Sequence, residues 1–300
     1  MEIEVVIPVF NEEDVIEELH ASISRESNNI PHNFCITFIN DGSRDKTLSI
    51  LRSIKNSSEL DIKIINLSRN FGLQAALSAG IDNFSKDICI FMDGDLQDNP
   101  IYFQEMINKW KEGYEIVLAK RTDRKENLFR KIIFNIFYKI QKFNSEINIP
   151  TNVGHFSLLD KKAMHALQSF PEKFKYLNGL RAFIGFKTTY IEVIKNKRYA
   201  GKAKMNYKNL IYYAFQGLLG FSKSPLLYIL ILGLILTFVS VVTFMIQLLN
   251  SSFNNSNILI ISLFFCSGLI ITSIGFMGQY LGLIFKEVKN RPLYIVESII

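Results

Sequence analysis

The sequence predicts an α/β protein: a mostly parallel, Rossmann-like sheet covered by helices, followed by two C-terminal transmembrane helices. Three observations carry this. Short apolar runs alternate with helix-like segments from Met1 to Ala119. Polar clusters follow three of those runs, at the places where the strands should end. Lys, Arg, Asp and Glu make up 21% of the chain, yet none lies between Ser224 and Phe285.

In chain order, Ile3–Val9 reads as a strand and Glu12–Ser24 as a helix. Phe34–Ile39 is the second strand, with a helix over Asp45–Lys55. Ile62–Leu67 is the third, followed by a helix over Leu73–Phe84. Ile88–Met92 and Ile116–Ala119 are the fourth and fifth. Apolar strands separated by helices imply a parallel sheet buried on both faces. The N-terminal MEIEVVIPVF carries Glu2 and Glu4, lacks a basic start, and reads as a first strand rather than a signal peptide.

Ligands bind such sheets at the carboxyl ends of the strands. There the chain places Pro8-Val9-Phe10-Asn11-Glu12, Asn40-Asp41-Gly42-Ser43 and Asp93-Gly94-Asp95. Neither G-x-G-x-x-G after the first strand nor a P-loop occurs, which disfavours dinucleotide and P-loop chemistry. Asp93 and Asp95, on a turn leaving a strand, can converge on one hard cation, with Gln97 and Asp98 close behind. Mg2+ or Mn2+ held by few protein oxygens keeps positions open for substrate phosphates. The net charge of +6 points to anionic partners, phosphate, nucleic acid or acidic lipid, and the expected membrane spans favour lipid and phosphate over nucleic acid. Cys35, Cys89 and Cys266 follow no metal-binding spacing and read as free thiols.

In the uncharged block, the runs Leu226–Leu249 and Ile258–Phe285 are each long enough to span a bilayer as a helix. Lysines and Arg291 flank the block, and none lies in the turn 250–257, so both ends are expected to be cytoplasmic. Gly268, Gly275 and Gly282 share one face of the second run, for packing on the first run or on a second copy of the chain. A basic amphipathic stripe over Leu128–Phe143 reads either as a membrane-surface helix or as a helix on the sheet. The expected organisation is a catalytic domain over 1–205 and an amphipathic juxtamembrane segment over 206–224. The two spans over 225–286 and a tail over 287–300 complete it.

The stretches VVIPVFNEED, FINDGSRDKT, LSRNFGLQAALSAG, FMDGDLQDNP, LAKRTDR, GFSKSPL and GQYLGLIFKEVKNRPLYIV resemble glycosyltransferase family 2, and within it the polyprenyl-phosphate glycosyltransferases. The resemblance implies a GT-A fold and an inverting transfer of one sugar from a nucleotide-sugar to a polyprenyl phosphate. UDP-glucose is the first expectation for the donor, and the bacterial inner membrane the expected location. By the same resemblance, Asp93, Asp95 and Gln97 would carry the metal and the donor diphosphate. Pro8, Phe10, Asn11 and Glu12 would line the nucleotide pocket, with Asp41, Gly42 and Ser43 beside the base or ribose. Arg121, Arg198, Lys202 and Lys204 are candidate clamps for the acceptor phosphate.

Three places depart from the family pattern. Where the subgroup reads Asn-x-Gly-Asp-Phe-Arg-Leu, this chain has Asn152-Val153-Gly154-His155-Phe156-Ser157-Leu158. The usual basic residue before Gly179 is Asn178, and a Gly-x-Ser-Lys stretch reads Gly201-Lys202-Ala203-Lys204. His155 therefore marks a different donor sugar, a base or charge-stabilising group, or an impaired enzyme kept as a membrane scaffold. A processive polysaccharide synthase is disfavoured, because Trp110 follows Lys109 and no Gln-x-x-Arg-Trp motif is present.

Overall fold

The computed structural model describes residues 1–122, 150, 152–171, 175–194, 235, 242 and 256–300. Eight strands form one sheet: β1 Glu2–Val9, β2 Asn33–Asn40, β3 Asp61–Leu67, β4 Ile88–Phe91, β5 Ile116–Arg121, β6 Val153–Asp160, β7 Thr188–Val193 and β8 Val296–Ile299. Their order is β7-β5-β6-β4-β1-β2-β3-β8. The helices are α1 Ile16–Asn28, α2 Thr47–Ser57, α3 Leu73–Asp82, α4 Phe103–Lys111, α5 Lys161–Ser169, α6 Leu177–Phe183 and α7 Ser256–Val288.

The first half is parallel, β3-β2-β1-β4. From Ile3 to Val9 every β1 residue is buried, as expected for a strand covered on both faces. The sheet then becomes mixed. β6 runs antiparallel between β4 and β5, and β8 pairs antiparallel with β3. Phe34, Phe103 and Phe156 pack in series within the core, with ring centroids 6.1 and 6.3 Å apart.

Pro8 is tolerated in a central strand for a specific reason. Met92 N–H donates to Val6 O, and Asp41 N–H donates to Val9 O. Even-numbered residues of β1 thus turn their backbone toward β4, odd-numbered ones toward β2. The β1–β4 ladder ends at Val6–Phe91, so the N–H that Pro8 lacks falls beyond the last pair.

The chain divides into two compact units. One holds the whole sheet and takes in Pro292–Ile300; the other holds α7. The C-terminal residues, read above as a tail, therefore supply an edge strand. Asn66 Nδ2 donates to Glu297 Oε2 at 2.6 Å, and Tyr294 Oη donates to Asp82 at 2.9 Å.

Two expectations are corrected here. Among the described residues no helix is long and apolar enough to cross a membrane. The pair of transmembrane helices is thus not borne out, nor is the integral inner-membrane location inferred from it. Lack of charge is a weaker property than apolarity: described positions of α7 include Ser262, Ser267, Ser273, Gly278, Gln279 and Gly282. Several large side chains of α7, Leu259, Leu263 and Leu281 among them, are exposed. A Cβ added at Gly275, Gly278 or Gly282 would meet nothing within 4 Å. The first expected span, apart from Ile235 and Val242, lies outside the described residues. So do the stripe over Leu128–Phe143, the segment 206–224, Ala203, Arg198, Lys202 and Lys204.

Candidate active site

Three loops leave the carboxyl ends of β1, β2 and β4, and hydrogen bonds knit the first two together. Asn11, in the left-handed region at φ 51°, donates its N–H to Ser43 Oγ at 2.9 Å. Asn11 Oδ1 accepts from Arg44 N–H at 2.8 Å, and Glu12 N–H donates to Thr47 Oγ1 at 2.9 Å. Asx-type bonding of this kind lets a short polar side chain replace backbone partners in a turn.

Asp41, expected beside the base or ribose, is buried. Its carboxylate accepts from Phe71 N–H at 2.7 Å, from Gly72 N–H at 2.9 Å and from Asn70 Nδ2 at 3.0 Å. These bonds fold the loop after β3 onto the site. Burial raises the Asp41 carboxyl above its ordinary value, against the lowering effect of the Phe71 and Gly72 amides and of Arg69. Gly42, at φ 65°, is required by this approach, because a Cβ there would sit 2.3 Å from the backbone of Arg69.

The third loop carries Asp93-Gly94-Asp95. A Cβ on Gly94 would come 2.9 Å from Pro8 O, so this loop lies directly on the β1 end. Asp98, buried, accepts from Asp93 N–H at 3.2 Å, while Asp95 Oδ1 accepts from Gln97 N–H at 3.2 Å. Leu96 takes a positive φ of 58° to make the turn. Among the described residues no group of three or more His, Cys, Asp and Glu is gathered to cage an ion. Two carboxylates on one turn suit Mg2+ or Mn2+ completing its shell with diphosphate oxygens and water.

His155 joins this loop through β6. Phe91 pairs with Ser157 in the antiparallel ladder, and two residues further on Asp93 faces His155. His155 Nδ1 lies 3.6 Å from Asp93 Oδ1, an electrostatic contact longer than a hydrogen bond. Arg121, ending β5, also reaches this strand, its Nη2 lying 2.8 Å from where a Gly154 Cβ would stand. Pro8 to Glu12, Asp41 to Ser43, Asp93 to Gln97, His155 and Arg121 thus belong to one edge of one sheet.

Arg181 of α6 was not anticipated. It is 3% exposed, and its guanidinium donates to Ser157 Oγ at 2.6 Å, Gly154 O at 2.8 Å, Asn178 Oδ1 at 2.5 Å and His155 O at 3.4 Å. Its Nε has no hydrogen-bond partner, and burial pulls the group down to about 10. A cavity of about 150 Å³, lined by Val153, Asn178, Arg181, Thr188 and Tyr190 among others, lies beside it. No local spacing marks an arginine inside a short helix as buried. The signal available in the sequence was indirect, the missing cations at 157 and 178.

Comparison with known proteins follows the same lines. The family model described as glycosyl transferase family 2 matches residues 4–167. An uncharacterized glycosyltransferase of Synechocystis sp. is 37% identical over 100% of this chain and 96% of its own length. The bactoprenol glucosyl transferase of Shigella phage SfII is 33% identical over 99% of this chain and 98% of that protein. Among solved structures, glucosyl-3-phosphoglycerate synthase from Mycobacterium tuberculosis, in complex with Mn2+, UDP-glucose and phosphoglyceric acid, aligns with a TM-score of 0.52. It is 17% identical, over 73% of this chain and 79% of that one, a likeness that shows the mixed-sheet GT-A fold.

Proposed function

The chain belongs to glycosyltransferase family 2, and we propose that it moves one sugar from a nucleotide diphosphate donor to a polyprenyl phosphate. The observation that carries this reading is the apposition of Asp93-Gly94-Asp95 to the β1 loop, with Gly94 against Pro8 O. In this reading the nucleotide lies along Pro8, Phe10, Asn11 and Glu12. Asp41 and Ser43 hold the pocket's walls rather than the ligand. The full-length likeness to a bactoprenol glucosyl transferase supports a lipid phosphate as acceptor and glucose as the first sugar to test.

The reaction forms a bond between an acceptor phosphate oxygen and the sugar C1, and breaks the bond from C1 to the donor diphosphate. Attack from the face opposite the leaving group inverts the configuration at C1. Asp93 and Asp95 would hold Mg2+ or Mn2+, which when bound would offset the charge that gathers on the departing diphosphate. The acceptor oxygen is already anionic, so alignment and charge balance matter more than deprotonation. In this reading Arg121 meets that phosphate. His155, beside Asp93, faces the sugar side, where it sets the donor preference.

The test is a panel of radiolabelled UDP- and GDP-sugars with the full chain, detergent-dispersed undecaprenyl phosphate and Mn2+, followed by organic extraction. Label is expected in the lipid phase with one donor, UDP-glucose being the first to try. No lipid-soluble label with any donor would overturn the proposal. His155→Asp should change the ranking of donors; an unchanged rate and ranking would remove His155 from the sugar side.

A further inference from the structure

Three departures from the family pattern, at His155, Ser157 and Asn178, meet on one side chain. Arg181 donates to the backbone of the first and to the side chains of the other two. The resemblance described above implies cations at 157 and 178; here those positions hold a hydroxyl and an amide, and both accept hydrogen bonds from Arg181 on α6.

We infer that Arg181 is a positioning residue for sugar transfer, a buried cation on α6 that fixes the strand segment presenting His155 to Asp93. This rests on the transferase reading given above. A buried guanidinium without a carboxylate carries a large desolvation cost, offset only by well-made hydrogen bonds. Among the described residues no Asp or Glu pairs with Arg181; its acceptors are two carbonyls, a hydroxyl and an amide oxygen.

Two of those acceptors, Gly154 O and His155 O, belong to the β6 segment that carries the imidazole to Asp93. The other two explain the neighbouring substitutions. Ser157 is fully buried with Oγ 2.6 Å from Nη1, so a long basic side chain at 157 would need the space the Arg181 guanidinium occupies.

Three purified full-length variants test this: Arg181→Leu, Arg181→Lys and the double variant Ser157→Arg/Arg181→Leu. Arg181→Leu should lower kcat about tenfold to a hundredfold while the donor KM stays within about twofold, because alignment is lost and nucleotide contacts are not. Arg181→Lys should recover part of the loss. The double variant, returning the cation to β6, should exceed Arg181→Leu by about tenfold, a non-additivity that contact demands. An unchanged kcat in folded Arg181→Leu, or a double variant no better than Arg181→Leu, overturns the inference.

Amide hydrogen exchange over Gly154–Ser157 keeps the two claims separate. A wild-type enzyme that transfers no sugar sinks the transferase reading alone. Exchange then decides on Arg181. Protection lost in Arg181→Leu and regained in the double variant supports it, and unchanged protection overturns it.

Discussion

Glu4 shows how a buried acid, far along β1 from the candidate site, sets a pH dependence. It is 2% exposed, and Thr37 donates to its Oε1 at 2.6 Å. Burial raises its carboxyl above the ordinary value, while the Thr37 bond, Lys63 and Lys86 work in the opposite direction. A carboxyl whose folded value is raised binds its proton more tightly in the fold. Its stabilising contribution is therefore full below the unfolded value and is lost as pH rises through the folded one. Glu4→Gln keeps an acceptor for Thr37 and removes the ionisation. Its melting temperature should gain on the wild type from acid toward neutral pH, and a gap that stays constant with pH would contradict this. The thiols behave differently: burial pushes Cys35 up to about 12, so it stays protonated and unreactive. Asp41 and Arg181 give the same lesson at the site. Their types were legible in the sequence, but their partners come from β3 and β6 segments that local patterns do not connect.

At the scale of elements, the strands with continuous apolar runs were legible, and β1 to β5 lie where periodicity puts them. The first helix starts later than the pattern suggests, at Ile16 rather than Glu12, because Asn11 and Glu12 are spent bonding the β2 loop. β6 escaped notice because Gly154, His155 and Ser157 interrupt its apolar run, and only its place between β4 and β5 makes it a strand. That omission hid the most informative geometry of the site, the apposition of His155 to Asp93. β8 was missed for a similar reason: four residues form a strand only against a waiting edge. Ile300 exchanges backbone hydrogen bonds with Ile64, and Ser68 N–H donates to Ile295 O. Removing residues 294–300 deletes these three backbone bonds, together with the side-chain bonds of Glu297 and Tyr294, and bares the β3 edge. At about 1 kcal/mol for each of the backbone bonds, the sheet should lose roughly 2–4 kcal/mol, measurable by urea denaturation. An unchanged midpoint would show that β8 contributes nothing to the fold.

For the molecule as a whole, the uncharged block is the feature most open to misreading, since two long apolar runs without charge read as membrane spans and no described helix is long and apolar enough to be one. The site itself was more legible. Three polar clusters, each ending a separate strand, converge because parallel strands all present their carboxyl ends to one edge. That convergence, with family membership, is what supports proposing the donor site on the β1, β2 and β4 loops. The antiparallel β6 then brings His155 to the same edge. Asp95 is the most direct target, because with Asp93 it is proposed to hold the cation of the donor diphosphate. The direct measurement is transfer of label from nucleotide-sugar to undecaprenyl phosphate by wild type and Asp95→Ala, each with Mn2+ and with EDTA. Lipid-phase label from wild type with Mn2+, abolished by EDTA and reduced about a hundredfold or more in Asp95→Ala, is the predicted result. Equal labelling by Asp95→Ala, or labelling that survives EDTA, would contradict it.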